Sequence, residues 1–349
     1  QMCIRDRDTD QISGYLTGKT VLVTGGGGSI GSELCRQVMR FKPGKLLIFD
    51  IYENCAYELL MELQQKYGRD IPVTVLIGSI RDKKRLDEVF ETYHPTVVFH
   101  AAAHKHVPLM EVSPAEAVKN NVLGTKNLLV SASEHDVERF VQLSTDKAVN
   151  PTSVMGCTKR ICEMLIQTFA GNTDMKCVAV RFGNVLGSHG SVIPLFEAQI
   201  KKGGPVTLTD PNIERYFMTI PEAAQLVLQA GALAESGNIY VLDMGEPVKI
   251  MDLAKQLIRF YGYEPGVNME IKIVGLRPGE KLYEELMMDE EQDKMRRTQH
   301  NKIFVASPRS IDLAEFYGQL QELAAAAEHN DEGVVQQLAK MIPTFTPTR

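Results

Sequence analysis

Residues 21–38, VLVTGGGGSIGSELCRQV, run from an apolar, β-branched segment through four consecutive glycines into an amphipathic segment. Glycine at position 25 permits a tight turn, and glycine at position 28 lets backbone N–H groups approach a pyrophosphate. Glycine at position 31 lets a helix pack closely on the preceding strand, with the phosphate at the positive end of that helix. The stretch therefore predicts a strand, a dinucleotide-binding turn and a helix, with Gly25, Gly28 and Gly31 at the ligand.

Short β-rich runs alternate with amphipathic helical patterns over the first half of the chain. The strand-like runs are residues 20–25, 45–50, 73–78, 96–102, 139–144 and 177–182, and the helical patterns lie near residues 31–41, 53–67, 82–93, 114–134 and 153–170. The strand-like runs are apolar throughout, which indicates burial on both faces of a parallel sheet. We therefore expect an α/β fold with a doubly wound parallel sheet of the Rossmann type.

The regular alternation weakens after the sixth strand-like run, and this change divides the chain. We assign residues 16–183 to a nucleotide-binding domain and residues 184–310 to a smaller mixed α/β lobe, interleaved with the first domain and lending a strand to its sheet. Residues 311–349 predict two helices that cover a surface. Residues 1–15 predict a tail, because the opening QMCIRDR fits no periodicity.

The composition argues against several classes of protein. The 349 residues carry a net charge of −6 and no long basic run, so we expect no nucleic-acid partner. The six cysteines form no CxxC pair and no zinc spacing, which is typical of reduced thiols in the cytoplasm. No apolar run reaches the ~18–20 residues that cross a bilayer, so we expect no membrane contact from this chain. His104 and His106 lack partners at metal spacing, so we expect no metal.

Asp50 ends the second strand-like run, at about the interval after the glycines at which an acid accepts hydrogen bonds from an adenosine ribose. A carboxylate there would repel a 2′-phosphate, and the surrounding FDIYEN offers no arginine to compensate. The position therefore favours NAD over NADP. Asp50 as the cap of the next helix is the open alternative.

Further cofactor contacts are expected where the neighbouring strand-like runs end. Adenine would lie against Ile80, and small residues after the fourth run would let the dinucleotide pass. Asn121 either contacts the cofactor or binds backbone near the fourth and fifth strands. The cofactor contacts expected on these grounds are Gly25, Gly28, Ser29, Ile30, Gly31, Asp50, Ser79, Ile80, Ala101, Ala102 and Asn121.

Seven stretches, in chain order, carry a resemblance to a known family. They are TGGGGSIGSEL, AAAHKHVPLME, NNVLGTKN, STDKAVNPTSVMGCTKR, RFGNVLGSHGSVIP, ERYFMTIPEA and GLRPGEKLYEEL. Together they resemble the extended short-chain dehydrogenase/reductase superfamily and, within it, the UDP-N-acetylglucosamine 4,6-dehydratases of bacterial polysaccharide biosynthesis. The resemblance covers roughly residues 16–310. It implies NAD as cofactor, a UDP-sugar as substrate and a homo-oligomer.

Two positions depart from the family pattern. The usual tyrosine is Met155, a replacement that the long, membrane-tethered branch of the group shares, and the acid often found after the third strand is Ser79. The chain therefore resembles the catalytic part of that long branch, in which a membrane-embedded region lies upstream. This implies a cytoplasmic location, or the cytoplasmic face of the inner membrane where the upstream region is present.

The resemblance also implies roles for a cluster of polar residues. Such an enzyme oxidises C4 of the sugar, eliminates water across C5 and C6, and returns the hydride to C6. By position, Asp146 would protonate the departing C6 hydroxyl and Lys147 would take the C5 proton. Lys147 can act as a base only if burial or positive charge, in part from Lys159, pulls its pKa toward about 7. Thr145 would bind the C4 oxygen, and Lys159 the nicotinamide ribose. Met155, a weak acceptor, either packs in the core or marks a task passed to Thr145 with Asp146, or to a water.

Expected substrate contacts come mainly from the second half of the chain. Arg215 and Arg277 are candidates to hold the two phosphates, because arginine suits bidentate contacts. The expected substrate-binding residues are Lys105, Asn184, Ser191, Val192, Arg215, Arg277 and Glu280.

The function expected from these residues and this resemblance is NAD-dependent 4,6-dehydration of a UDP-N-acetylhexosamine. A UDP-sugar 4-epimerase is the alternative within the enzyme class. It shares the first hydride step but needs neither the acid nor the C5 base, and it usually retains the tyrosine. A non-catalytic NAD-binding scaffold is the alternative from another class, because the absence of the tyrosine permits it.

Overall fold

The structure of the protein is a computed structural model. It describes residues 6–306 and 311–347, with side chains from Thr9 onward. Residues 1–5 of the expected tail and the expected boundary at residue 310 lie outside the described residues. Within the described ranges, no helix is both long enough and apolar enough to cross a bilayer.

Strands and helices alternate along the first half of the chain. The strands are β1 (Thr20–Thr24), β2 (Lys45–Asp50), β3 (Val73–Ile77), β4 (Val97–His100), β5 (Arg139–Leu143), β6 (Lys176–Arg181), β7 (Asn184–Val185), β8 (Val206–Leu208), β9 (Glu214–Arg215), β10 (Phe217–Met218), β11 (Ile239–Leu242), β12 (Val248–Lys249), β13 (Ile271–Ile273), β14 (Arg296–Arg297) and β15 (Ile303–Ala306). The helices are α1 (Asp6–Leu16), α2 (Ser29–Arg40), α3 (Glu53–Tyr67), α4 (Lys83–Tyr93), α5 (Val107–Val112), α6 (Pro114–Ala117), α7 (Gly124–Glu134), α8 (Val154–Ala170), α9 (Val192–Lys201), α10 (Ile220–Ala232), α11 (Ile250–Phe260), α12 (Asp289–Gln292), α13 (Leu313–Glu328) and α14 (Val334–Met341). A π-helical turn, Val118–Leu123, joins α6 to α7, and a 3₁₀ turn, Asp146–Ala148, follows β5.

One large sheet organises the molecule. Its nine strands lie in the order β14-β15-β11-β6-β5-β4-β1-β2-β3. The strands from β3 to β11 are parallel, whereas β15 and β14 are antiparallel to their neighbours. The strand order reverses between β1 and β4, which is the topological switch point of a doubly wound sheet. The expected α/β fold of the Rossmann type is confirmed.

Helices cover both faces of this sheet because successive strand side chains point to opposite faces. Val21 and Val23 of β1 belong to the core under α1, α2, α3 and α10. Leu22 belongs to the core on the other face, under α4, α7 and α8. All three side chains are fully buried. Burial on both faces is the reason that the strand sequences show no polar alternation.

The second half of the chain returns to the large sheet. β11, β14 and β15 extend the sheet beyond β6, where we expected one lent strand, and α10 packs on α1 and α2. The elements α9, α11, β8 and β13 enclose a smaller core of their own, which we call the lobe core. Its buried residues are Phe196, Ile200, Val206, Leu208, Ile213, Ile250, Ala254, Ile258 and Met269.

The segment before β1 is a helix from Asp6 onward, so the expected tail is wrong for residues 6–15. Ile12, Tyr15 and Leu16 are buried in the core that α1 shares with α10. The Tyr15 hydroxyl donates a hydrogen bond to the Leu228 carbonyl at 2.7 Å. These three residues have helical spacing, but so short an apolar stripe becomes evident only when its partner helix is known.

The two C-terminal helices cover the outer side of α8. Phe316 and Leu320 of α13 and Leu338 of α14 are buried in one core with Ile161 and Leu165 of α8. The other side of α8 packs against β5 and β6, and 13 of the 17 residues of α8 are buried. α8 is therefore an internal helix, enclosed on most of its surface.

Four charged side chains are buried where β6, α8 and α12 meet, and we call them the buried ion cluster. The guanidinium of Arg181, with no exposed surface, donates to Glu163 at 3.0 and 2.8 Å and to Glu291 at 2.8 Å. Arg160 donates to Glu163 at 2.8 Å, and the Ser144 hydroxyl donates to Glu163 at 2.7 Å. Two positive and two negative charges cancel, and the hydrogen bonds make the cluster tolerable inside the protein.

The cluster keeps the Glu163 carboxylate ionised. Burial by itself would raise the pKa of Glu163, but the Arg181 and Arg160 guanidiniums and the Ser144 hydroxyl lower that pKa to about 2. A carboxyl whose pKa is lower in the folded than in the unfolded state contributes stability above the unfolded pKa and loses it as the pH falls. Glu163 therefore stabilises the fold at neutral pH and ceases to do so as the pH falls from 4.5 toward 2.

We predict that Arg181→Leu lowers the free energy of unfolding by about 3–5 kcal/mol, because it leaves Glu163 and Glu291 buried without their main countercharge. Urea unfolding followed by circular dichroism measures this loss. Arg36→Leu is the matched control, because Arg36 pairs with Glu62 at the surface and its loss should cost about 1 kcal/mol or less. Equal costs for the two variants would contradict the role assigned to the cluster.

Candidate active site

A pocket of about 640 Å³ opens at the carboxyl ends of the central strands. Gly25 after β1, Ala101 after β4 and Thr145 after β5 form one wall, and Arg215 and Glu284 belong to the opposite wall. The pocket therefore lies at the switch point of the sheet, where doubly wound folds bind their ligands.

The glycine turn after β1 is built for close approach. Gly25 has a φ of +66°, which glycine adopts without strain, and a Cβ placed there would lie 2.6 Å from the Ala102 nitrogen. A Cβ on Gly31 would overlap the Gly25 carbonyl oxygen, so only glycine lets α2 pack against the turn. α2 begins at Ser29 after Gly28, and its first turn lines the pocket. These features fit a pyrophosphate held by the free N–H groups of a helix N-terminus.

Asp50 lies beside this turn at the end of β2. One carboxylate oxygen accepts a hydrogen bond from Gly27 N at 2.8 Å, and the other accepts one from Tyr52 N at 2.9 Å. α3 begins after Tyr52 without a side-chain cap. Asp50 is therefore not the cap of that helix, and its partly exposed carboxylate keeps lone pairs for a ribose hydroxyl.

Ser79 and Ile80, expected near the adenine, follow β3 and lie outside the pocket wall. The Ser79 hydroxyl accepts a hydrogen bond from Arg81 N at 3.2 Å. Ile80 is 3% exposed and packs against Gly124. Ile80 therefore presents little surface on which an adenine ring could lie.

Asn121 has a structural position behind the pocket. Its amide oxygen accepts from His104 N at 2.8 Å, and its amide nitrogen donates to His104 O and to the Thr158 hydroxyl, each at 3.0 Å. Asn121 thus ties the loop after β4 to α8. Of its two expected roles, the structure supplies the backbone contact and does not bring the side chain to the pocket wall.

The expected acid and base lie side by side after β5. The Thr145 hydroxyl donates to Asp146 Oδ1 at 2.8 Å, and Lys147 Nζ donates to the same oxygen at 3.0 Å. Asp146 has no exposed surface, and its Oδ2 is buried without a hydrogen-bond partner among the described residues. Thr145 and Lys147 line the pocket, whereas Asp146 stands behind them. Asp146 therefore reaches the pocket through its two neighbours.

Lys147 has carboxylates on two sides. Its ammonium lies 3.0 Å from Asp146 Oδ1, 3.3 Å from Asn184 Oδ1 and 3.5 Å from Glu284 Oε1. Burial disfavours the charge, but the Asp146 and Glu284 carboxylates outweigh it and raise the pKa of Lys147. The expectation of a lowered pKa at Lys147 is therefore wrong for the site without substrate.

Met155 and Lys159 lie on one face of α8, and both line the pocket. Met155 is 4% exposed and belongs to the main core, so it serves as core packing and as pocket wall together. Lys159 Nζ donates to the Leu143 carbonyl at 2.9 Å, and burial lowers the pKa of Lys159. The Arg215 guanidinium, which was not expected in this role, opposes protonation of Lys147 and acts to lower its pKa.

Arg215 lines the pocket, but most of its donors are already used. Its guanidinium donates at 2.7, 3.0 and 2.7 Å to the backbone carbonyls of Glu214, Leu282 and Lys281. The carboxylates of Glu280 and Glu284 lie 3.7 and 3.8 Å from it. Arg215 therefore fixes residues 280–284 in the pocket wall and has few donors left for the phosphates that we expected it to bind.

Ile30, the remaining turn residue, lines the pocket. The other expected substrate contacts line it too, and they are Lys105, Asn184, Ser191, Val192, Arg277 and Glu280. Ser191 Oγ is buried and, within the part of the chain that the structure describes, has no hydrogen-bond partner. Lys105 Nζ donates to the His189 carbonyl at 3.0 Å, and the His189 ring lies 3.1 Å from the Ser29 hydroxyl. The glycine-rich loop after β7 is thereby joined to the nucleotide turn.

Glu284 is a site residue that the sequence analysis missed. It is 7% exposed, lines the pocket and contacts Lys147. Its neighbour Glu285 is exposed and pairs with Lys281 at 2.9 Å. No local pattern separates the two adjacent acids of KLYEEL, because only the return of this segment to the pocket buries one of them.

A family model described as "Polysaccharide biosynthesis protein" matches residues 21–308. The chain is 58% identical over 281 residues to the capsular polysaccharide biosynthesis protein CapD of Staphylococcus aureus, covering 80% of this chain and 47% of that protein. The chain thus spans about half the length of that relative.

Two further relatives are named for an enzymatic activity. The UDP-N-acetylglucosamine 4,6-dehydratase (inverting) of Campylobacter jejuni is 34% identical over 271 residues, which is 76% of each chain. The UDP-glucose 4-epimerase of Rickettsia canadensis is 36% identical over 287 residues, which is 79% of this chain and 80% of the epimerase.

Solved structures share the fold. Pen from Bacillus thuringiensis superposes with a TM-score of 0.78 at 35% identity, covering 84% of this chain and 90% of Pen. DesIV of Streptomyces venezuelae, a dTDP-glucose 4,6-dehydratase with NAD and TYD bound, superposes with a TM-score of 0.68 at 20% identity, covering 90% and 99%. At 20% identity, the likeness to DesIV establishes the fold alone.

We predict that Gly31→Ala destabilises the protein by about 1–3 kcal/mol, because the added Cβ overlaps the Gly25 carbonyl and pushes α2 from the turn. Thermal unfolding by calorimetry measures the change. Gly14→Ala is the control, because Gly14 lies inside α1 in open space, and alanine there should stabilise by about 0.5–1 kcal/mol. An unchanged unfolding temperature for Gly31→Ala would show that the close packing is not required.

Proposed function

This chain belongs to the polysaccharide biosynthesis protein family, and on that premise we propose that it is a lyase that 4,6-dehydrates a UDP-N-acetylhexosamine. The substrate in this proposal is UDP-N-acetylglucosamine. The product is a UDP-4-keto-6-deoxy sugar for bacterial surface polysaccharide or another glycan. A distant relative with that named activity supports the choice of reaction.

The observation that carries the proposal is the acid–base cluster that shares one pocket with the glycine turn. Thr145 and Lys147 both donate to Asp146, and both line the pocket that Gly25 and Gly28 also line. A reaction that only moves a hydride at C4 needs one proton acceptor, whereas elimination also needs a base at C5 and an acid at the C6 hydroxyl. The cluster offers groups for all three tasks.

The cofactor is NAD, which when bound supplies first the acceptor and then the donor of the hydride. Gly25, Gly28 and the first turn of α2 hold the pyrophosphate. Asp50 accepts hydrogen bonds from the adenosine ribose and disfavours a 2′-phosphate. Lys159, buried beside the Leu143 carbonyl, holds the second ribose, and its charge favours loss of the proton from the C4 hydroxyl.

Protons move through side chains of the cluster. The C4 hydroxyl gives its proton to the Thr145 hydroxyl while Thr145 passes its own proton to Asp146. The new ketone at C4 makes the C5 proton acidic, and Lys147 removes it. Asp146 then returns a proton through Thr145 to the departing C6 hydroxyl, which leaves as water. Met155 takes no proton, so the task of a tyrosine passes to Thr145 with Asp146.

The lobe supplies the substrate contacts in this proposal. Arg277, exposed at the mouth of the pocket, and Lys105 hold the diphosphate. Asn184 and Ser191, whose hydroxyl has no hydrogen-bond partner among the described residues, contact the sugar.

A UDP-sugar 4-epimerase is the second candidate, because an epimerase of Rickettsia is also a relative. An epimerase abstracts no proton from C5 and expels no hydroxyl, so it has no use for a lysine held between two carboxylates. The cluster around Lys147 therefore favours the dehydratase, and it also disfavours a non-catalytic scaffold.

We also propose a setting for the enzyme. It works in the cytoplasm as a homo-oligomer, and in a longer protein of the CapD type it works at the cytoplasmic face of the membrane. The partial coverage of CapD supports the existence of further segments in such proteins.

Incubation with NAD and UDP-N-acetylglucosamine in deuterated water tests the proposal. The expected product has lost one water and carries deuterium at C5, as seen by mass spectrometry and NMR. An isomer of unchanged mass would establish the epimerase instead. Unchanged substrate, with tight binding of NAD, would favour the scaffold.

We predict that Lys147→Ala lowers C5 deuterium exchange and product formation by about 10²–10⁴-fold, because the C5 base is lost. Met155→Leu is the companion variant, since it keeps the volume of the side chain and should retain most of the turnover. NMR of the sugar in deuterated water follows both variants. C5 exchange that persists in Lys147→Ala at the wild-type rate would remove Lys147 as the base.

A further inference from the structure

Three acceptor oxygens surround Lys147 Nζ in the structure. An ammonium group has three N–H donors, and the three acceptors around Nζ are Asp146 Oδ1, Asn184 Oδ1 and Glu284 Oε1. Its pKa is raised, so this charged form is the stable one before substrate binds. A base that removes the C5 proton must be a neutral amine. Lys147 therefore has to lose a proton before the elimination begins.

Asp146 cannot be the acceptor of that proton under the proposed reaction. It must be ionised at the start, because it takes the C4 hydroxyl proton through Thr145 and later gives the same proton to the C6 hydroxyl. A proton already received from Lys147 would block the first of these steps. Another acceptor within reach of Lys147 Nζ is needed.

Glu284 has the position and the free atom for this task. Its Oε1 lies 3.5 Å from Lys147 Nζ, and its Oε2 is buried without a hydrogen-bond partner in the described ranges. The side chain is 3% exposed, so solvent does not stabilise its charge. Burial, and next the charge of Asp146, raise the pKa of Glu284, although Lys147, Arg215 and Lys281 act against this.

The segment that carries Glu284 is held firmly. Arg215 donates to the carbonyls of Lys281 and Leu282, and Lys281 Nζ donates to the Val149 carbonyl at 3.0 Å. These bonds fix the backbone on the N-terminal side of Glu284. They place the Glu284 carboxylate beside Lys147 in the pocket wall.

We propose that Glu284 is a catalytic proton acceptor, which takes one proton from Lys147 when the sugar enters and so turns Lys147 into the C5 base. The inference rests on the proposed dehydration. The N–H bond of the ammonium breaks and an O–H bond forms on Glu284, so the pair Lys147⁺/Glu284⁻ becomes an amine and a carboxylic acid with no change in total charge. The amine then takes the C5 proton, returns a proton to C5 after the hydride reaches C6, and recovers its first proton from Glu284 on product release.

Exclusion of water by the sugar drives this transfer. Two neutral groups are favoured over an ion pair when a site loses its solvent, because desolvation disfavours both charges. The groups that face the pair are Asp146, Arg215 and Lys281. Two of these are cations and one is an anion, and none of them changes charge in the transfer.

The pH profile of Glu284→Gln tests the proposal. In the wild type the transfer is internal, so the rate of C5 exchange should be nearly independent of pH around neutrality. In Glu284→Gln the proton must go to solvent, so exchange should fall by about tenfold or more at neutral pH and rise by about tenfold per pH unit above it. Reduced nicotinamide should accumulate during turnover, because oxidation at C4 does not use Lys147. A merely structural defect would lower every step at every pH.

Glu285→Gln is the matched control. Glu285 is the adjacent acid, exposed and paired with Lys281 and Asn150 outside the pocket. This variant should keep the wild-type rate and the flat pH profile. Unfolding temperatures of both variants show whether either change damages the fold, and Glu284→Asp, which restores a carboxylate, should recover part of the neutral exchange.

A second measurement needs no turnover. UDP-xylose lacks C6 and cannot lose water, and NADH cannot accept a hydride from C4, so neither step protonates Asp146. Binding of UDP-xylose to the protein with NADH should produce the infrared carbonyl band of a protonated carboxyl in the wild type but not in Glu284→Gln. The proposal is overturned if the wild type shows no such band, or if Glu284→Gln exchanges C5 at the wild-type rate at neutral pH. Failure of the wild type to dehydrate UDP-N-acetylglucosamine would instead count against the proposed function, while the band still decides the role of Glu284.

Discussion

The guanidinium of Arg181, enclosed between Glu163 and Glu291, sets the geometry on which the rest of the pocket depends. Arg181 ends a central strand, Glu163 lies one turn beyond Lys159 on α8, and Glu291 follows the segment that carries Glu284. One buried network therefore fixes the sheet, the lysine helix and the opposite pocket wall to each other. The strength of buried, fully paired charges is well suited to this, because any displacement would leave a charge without its partner.

A second group of two cations and two carboxylates, Lys147 and Arg215 with Asp146 and Glu284, lies at the pocket wall. Its contrast with the buried ion cluster separates a structural role from a chemical one. In the cluster around Arg181, short hydrogen bonds satisfy the charges, and the pKa of Glu163 falls. Around Lys147 the contacts to Glu284 are longer, and Asp146 and Glu284 each keep one buried oxygen without a partner among the described residues. In the buried ion cluster, the hydrogen bonds keep Glu163 ionised. Around Lys147, the two oxygens without partners remain available as acceptors for a substrate or for a proton in transfer.

The sequence predicted the parallel sheet and the nucleotide turn because their signals lie in residues close together in the chain. Unbroken apolar runs predicted a sheet covered on both faces, and the glycines and Asp50 marked the nucleotide turn. The parts that sequence did not predict arise from contacts between distant segments. α1 packs against α10, Lys147 contacts Glu284 as well as its sequence neighbour Asp146, and the donors of Arg215 are used by carbonyls near residue 282. The hydrophobic periodicity of a sequence does not reveal contacts between distant segments.

The enclosure of α8 extends these relations to the end of the chain. The inner side of α8 presents Met155 and Lys159 to the pocket, and its outer side lies under α13 and α14 through Phe316, Leu320 and Leu338. Without α13 and α14, the apolar outer surface of α8 would be exposed to solvent. Exposed apolar patches of this kind promote aggregation. The C-terminal helices therefore shield the outer side of α8 from solvent, and shortened chains that end before them should be recovered as aggregates.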